Sequence, residues 1–143
     1  MEQSTRGGIA ALLLVCASAV ALAHDGAGDE NVTPLARAAL PDAPGTQAQA
    51  LRVDFAPGAT SKPHRHPGPV FVVVVDGEVE SALDGGPVVH YKAGDTWYEA
   101  PGQVHSVTRN ASKTRPARLV AWLLSDGKTP LVTPLPVDGA APH

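Results

Sequence analysis

The chain has one cysteine in 143 residues, Cys16, inside an apolar stretch near the N-terminus. Past that stretch there is no thiol, which excludes disulfide staples, thiolate nucleophiles and thiolate metal sites. Aromatic residues are scarce at 4 %. A core must therefore be built mainly from Val, Leu and Ala, with Phe55, Phe71, Trp97, Tyr98 and Trp122 as its large pieces. A dominant charge is missing too. Lys and Arg number 11 against 14 Asp and Glu, a net of −3 with no basic stripe and no acidic block. Nothing in that balance recommends nucleic acid or a membrane surface as a partner. Neither a long helical period nor an internal repeat is present after residue 23.

The N-terminus reads as a targeting segment. Arg6 precedes an apolar run from Ile9 to Val20, and Ala21-Leu22-Ala23 has the small-x-small form of a signal-peptidase site. The run is short for a membrane span, and Val15 before Cys16 fits a lipoprotein site poorly. Residues 1–23 are thus expected to be a signal peptide, and the mature protein to be periplasmic or secreted with no membrane attachment. Cleavage there would leave His24 at the N-terminus, where amine and imidazole could chelate Cu(II). Gly26 and Gly28 point instead to a flexible leader.

About 120 residues remain, which suits one domain. Residues 24–48 are expected to form a flexible leader and an N-terminal edge segment, broken by Pro34, Pro41 and Pro44, with one helical turn over Leu35–Leu40. From Gln49 the pattern becomes short apolar runs separated by turn residues, as in an all-β sandwich or barrel. Asp76-Gly77, between Val70–Val75 and Glu78–Leu83, has the form of a hairpin turn. Asp84-Gly85-Gly86 leads to Val88–Tyr91, Lys92-Ala93-Gly94-Asp95 to Thr96–Glu99, and Pro101-Gly102 to Val104–Arg109. Ala117–Leu124 is the last strong strand. Val70–Val75 is apolar at every position and is expected to be covered on both faces. Residues 126–143 form a Pro-rich tail that cannot donate regularly to a ladder.

Histidines carry the chemistry. His64 and His66, at i and i+2 on an extended segment, leave the backbone on the same face. A later strand that brought His105 to that face would converge three imidazoles, and neutral imidazole is the commonest metal ligand. Glu99, just before Pro101-Gly102, could face the same cavity as a proton-transfer group or through a water. Ser106 is next to His105 and should face the other way. Arg65 should point away from the metal. Glu78, Glu80 and His90 suit an outer strand face, and Asn110 suits a loop.

These residues resemble a known family. Gly58, His64, His66 and Gly77 match most of the first motif of the cupins. Gly94, Pro101-Gly102, His105 and Asn110 resemble the second, with one residue more than usual before the proline and before the asparagine. The resemblance covers about residues 49–125. Val32-Thr33-Pro34-Leu35, Ala56-Pro57-Gly58, His64-Arg65-His66-Pro67-Gly68 and Tyr98-Glu99-Ala100-Pro101-Gly102 look like the small exported single-domain members. The resemblance implies an all-β fold, a single jelly-roll-like barrel holding one divalent metal (Fe, Zn, Mn, Ni or Cu). It also implies a homodimer and a small-molecule ligand or substrate. The family covers dioxygenases, isomerases, decarboxylases, storage proteins and sugar-sensing domains. In one respect the chain departs from the motif. The glutamate usually found four or five positions after the second histidine is replaced by Val70 and Phe71, so the ligand set is reduced to His64, His66 and His105. Some thiol dioxygenases of the group also use three histidines. The expectation is a metal-dependent oxygenase or isomerase with Glu99 as the candidate catalytic residue. The alternative is a non-catalytic ligand- or metal-binding module.

Overall fold

The computed structural model describes residues 30–136. The proposed signal segment, with Cys16, and His24 lie outside the described residues. The strands are β1 (Glu30–Ala39), β2 (Gln47–Phe55), β3 (His64–Arg65), β4 (Val70–Asp76) and β5 (Glu78–Leu83). They continue with β6 (Val89–Lys92), β7 (Thr96–Glu99), β8 (Val104–Asn110), β9 (Ala117–Ser125) and β10 (Thr133–Pro134), and no helix occurs among the described residues. Two antiparallel five-stranded sheets face each other, in the orders β1-β2-β9-β4-β7 and β10-β3-β8-β5-β6. This is the all-β architecture expected from the spacing of the apolar runs.

Alternation decides which side chains enter. Along β9, Ala117, Leu119, Ala121 and Leu123 are buried while Arg118 and Trp122 are exposed. With Phe55, Val70, Val72, Val74, Val79 and Trp97 these residues form one core between the sheets. Each large apolar side chain fully buried there contributes on the order of 1.5–3 kcal/mol.

Four expectations are corrected. Of the five large aromatics expected in the core, only Phe55 and Trp97 are buried, while Phe71, Tyr98 and Trp122 are about half exposed, because alternation turns them to the outer face. Leu35–Leu40 is not helical, because Leu35–Ala39 belongs to β1, which pairs with β2 along its length at the sheet edge. Pro34 is tolerated in an edge strand, and a register shift between Pro34 and Ala36 leaves Leu35 half exposed. Asp76-Gly77 is not a hairpin turn. It carries the chain from β4 in one sheet to β5 in the other. Gly77 has φ 71°, and a Cβ there would sit 2.6 Å from the Pro116 carbonyl, so the corner needs glycine. The hairpin that follows is β5–β6, closed by Asp84-Gly85-Gly86. Finally, Val70–Val75 is covered on one face only. Val70, Val72 and Val74 are buried, whereas Phe71 and Val75 are about half exposed on the outer face.

Candidate metal centre

Register brings the histidines together. β3 pairs antiparallel with β8 so that His64 lies directly opposite His105, and cross-strand partners share a face. His66 follows two residues after His64 and returns to that side, with ring centroids 4.8 Å apart. One ligand nitrogen from each of His64, His66 and His105 lies within 4.8 Å of the others. A register shift in the β5–β8 ladder places a bulge at Ser106. The bulge lets His105 and Thr108 both enter the interior despite their spacing. Ser106 turns out, and its hydroxyl donates to the Ala82 carbonyl at 3.0 Å.

Hydrogen bonds fix the tautomers. Nδ1–H of His64 donates to the Lys62 carbonyl at 2.7 Å, and Nδ1–H of His66 donates to the Leu131 carbonyl at 2.7 Å. The proton of each neutral ring is thereby committed, so each Nε2 carries a lone pair. Those two Nε2 atoms face each other at 3.1 Å. Neither can donate to the other. Two atoms each about 2.1 Å from one metal ion, at coordination angles between 90° and the tetrahedral angle, sit roughly 3.0–3.4 Å apart, so a cation between them relieves the repulsion. The ring of His105 is held at Nε2 by the hydroxyls of Ser81 (2.8 Å) and Thr108 (2.6 Å).

Glu99 completes the cluster. It is 2 % exposed. The Trp97 indole N–H donates to its Oε1 at 2.9 Å, and His105 Nδ1 lies 3.1 Å from the same oxygen. Its Oε2 has no hydrogen-bond partner and lies 3.6 Å from His66 Nε2. Burial pushes the Glu99 carboxyl up to about 7, against the lowering effect of the Trp97 bond. Burial, with the neighbouring His64, pushes His66 down to about 4, partly offset by the Leu131 carbonyl. Burial and the adjacent His64 and His66 push His105 down to about 3. Both imidazoles are therefore neutral and free to ligate at neutral pH. The cluster closes one end of a cavity of about 110 Å³ lined mainly by apolar side chains, among them Val70, Val72, Leu119 and Leu123, with Glu30 and Lys62 also on its wall.

A family model for the cupin domain matches residues 51–123. The chain belongs to the cupin family. Among solved structures, a cupin-like protein from Thermotoga maritima is 27 % identical, with a TM-score of 0.52 over 66 % of this chain and 67 % of that one. An oxalate oxidase in complex with the substrate analogue glycolate is 27 % identical, with a TM-score of 0.57 over 79 % of this chain and 57 % of that one. A DMSP lyase from Ruegeria pomeroyi is 24 % identical, with a TM-score of 0.56 over 65 % of this chain and 45 % of that one, a likeness of fold. The cupin chain thus spans less than two thirds of the oxidase and of the lyase. Comparison with curated proteins gave no match.

Within this cupin, the two positions where the motif glutamate was sought separate by face. Val70 points into the cavity and Phe71 points out. Arg65 is exposed, His90 bonds Glu78 on the outer face at 2.9 Å, and the Asn110 side-chain amide donates to the carbonyls of Ala56 and Arg115. Five contributors to the site were not singled out from the sequence: Ser81, Thr108, the Trp97 indole and the carbonyls of Lys62 and, last, Leu131. The last carries no side-chain signal. It reaches the site because the Pro-rich tail doubles back, β10 pairing with β3 and Leu135 N–H bonding the Pro63 carbonyl at 2.9 Å.

Proposed function

We propose that this cupin is a metal-dependent enzyme in which His64, His66 and His105 hold one divalent cation, and that a small molecule bearing oxygen donors binds beside it. The observation that carries the reading is the pair of Nε2 lone pairs at 3.1 Å, with both ring protons committed elsewhere. An arrangement that repels itself when empty and fits a cation's ligand spacing favours metal over barrel filling. When bound, the cation supplies Lewis-acid chemistry, or oxygen chemistry if it is redox-active.

The chain's own residues do the rest. Lys62 and Leu131 carbonyls orient two rings, and the hydroxyls of Ser81 and Thr108 orient the third. Phe55, Val72, Leu119 and Leu123 exclude water from the far wall, which strengthens electrostatic contacts inside. Lys62, exposed at the cavity wall, offers a cation to an acidic group. A small hydroxy acid or dicarboxylate suits a cavity of about 110 Å³ with this polar end, and the oxalate oxidase with bound glycolate is a relative in which such a molecule is held.

The test uses cobalt-loaded protein. Among small hydroxy-acid, phenolic and thiol compounds, at least one is expected to alter the visible spectrum by displacing metal-bound water, and His66→Ala is expected to abolish the response. A loaded protein whose spectrum no compound changed, and which consumed no dioxygen when loaded with iron, would leave a non-catalytic module as the better description. The outer-face residues Phe71, Val75, Tyr98 and Trp122, each about half exposed, support a homodimer, since an apolar face of this kind on a sheet suits a second copy.

A further inference from the structure

We propose that Glu99 is the fourth protein ligand of the metal, replacing the absent motif glutamate from the neighbouring strand. This rests on the reading of His64, His66 and His105 as a metal site. The register carries the argument. Val70, the inward-facing position where the motif would place its carboxylate, pairs directly with Glu99 across the β4–β7 ladder. Direct cross-strand partners share a face, with Cβ atoms about 4.5–5.5 Å apart. A carboxylate moved from position 70 to position 99 therefore shifts by one strand and still enters the same cavity, which both residues line.

Distances agree. Glu99 Oε1 is 3.1 Å from His105 Nδ1, and Oε2 is 3.6 Å from His66 Nε2. The two Nε2 atoms of His64 and His66 are 3.1 Å apart. The His64–His66 separation falls within the roughly 3.0–3.4 Å edge expected between ligand atoms sharing one metal, and the separation of Oε2 from His66 Nε2 lies just beyond it. Glu99 Oε2 is also a buried oxygen with no partner, aimed at the histidines. A buried carboxylate oxygen is costly to leave unbonded, and a cation among the imidazoles is the group that satisfies it. Trp97, two residues before Glu99 and on the same strand face, holds the other oxygen through its indole N–H at 2.9 Å. That bond fixes the carboxylate's orientation without using Oε2.

This assignment gives Glu99 a bonded place instead of a proton-transfer role. It restores a three-histidine, one-carboxylate set and lowers the net charge of a dication site from +2 to +1. A centre with six positions would keep two for ligand and water.

The proposal is tested on the full chain with Co(II) alone. Wild-type protein is expected to take up one Co(II). Glu99→Gln, which keeps the shape of the side chain, should weaken binding by more than about 100-fold against a competing chelator, because loss of groups that merely orient ligands costs about 10- to 100-fold. Val70→Glu in the Glu99→Gln background should recover part of the affinity. Independently of any variant, the infrared difference between Co(II)-loaded and metal-free wild type should show a carboxylate stretch shifting on binding. Uptake of one Co(II) with no carboxylate band, or an unchanged affinity in Glu99→Gln, would overturn the ligand assignment and leave the three-histidine site standing. Absence of uptake by the wild type would overturn the underlying reading and the proposal with it.

Discussion

Acidifying the metal-stripped protein should destabilise it in a way that reports the cavity directly. His66 and His105 are pushed down to about 4 and about 3 from an ordinary 6.5, each first by burial. The stability they contribute is present above pH 6.5 and is lost as pH falls, because the unfolded chain accepts protons that the folded one refuses. Glu99 acts with the opposite sign. Pushed up to about 7 from 4.5 by burial, it keeps a proton in the folded state, a contribution present below pH 4.5 and lost as pH rises through 7. Between pH 6.5 and 4.5 the unfolded state therefore gains two protons against one held by the folded state. The net of one proton corresponds to about 1.4 kcal/mol per pH unit, or roughly 3 kcal/mol over the interval. Asp54, Asp84 and Asp126, all lowered, enter only below it. Denaturant melts of chelator-treated protein at half-unit steps should show greatest stability near pH 6.5. In Glu99→Gln the opposing proton disappears, and the fall should be about twice as steep. A stability that stayed level or rose from pH 6.5 to 4.5 would refute the reasoning, since two buried neutral imidazoles could not then be present.

Other expectations concern packing, assembly and processing. Gly68 is buried, and a Cβ there would collide with the Leu124 carbonyl. Gly68→Ala should therefore cost about 3 kcal/mol in a thermal or urea melt, and a loss under 1 kcal/mol would show that β9 can yield. The homodimer proposed from the outer face should give a dimer mass by light scattering and a monomer mass for Trp122→Lys. A wild-type monomer at the same concentration would remove it. Export, proposed from Ile9–Val20 and Ala21-Leu22-Ala23, predicts an intact mass beginning at or near His24 for protein recovered outside the cytoplasm. Retention of Met1 in the soluble form would reject it.

The histidines could be found in the sequence because their signal is local. Two at alternate positions, with a third inside a Pro-Gly-x-x-His phrase, already limit where the chemistry can be. The β5–β6 hairpin was legible for the same reason. What stayed hidden depends on register and on which sheet a strand joins. Asp76-Gly77 has the composition of a hairpin turn, yet β4 and β5 join different sheets, and nothing in the dipeptide distinguishes a corner from a hairpin. Val70–Val75 looked covered on both faces because Phe71 and Val75 are apolar, although one face of β4 is left open. Thr108, three residues after His105, belongs on the opposite face of a regular strand, and only the bulge at Ser106 brings it in. The β1 strand was obscured by Pro34, which an edge strand accommodates. Glu99 could be placed near the cavity from its neighbours, but its pairing with Val70 is a fact of the ladder.

The central claim is that three imidazoles share one divalent cation, and metal content tests it most directly. Protein loaded with Zn(II) or Fe(II), dialysed against a weak chelator and measured by elemental mass spectrometry should carry one metal per chain. His64→Ala and His105→Ala should each lose it, while His90→Ala, on the outer face, should match the wild type. Full stoichiometry retained in His105→Ala under the same chelator would contradict the account.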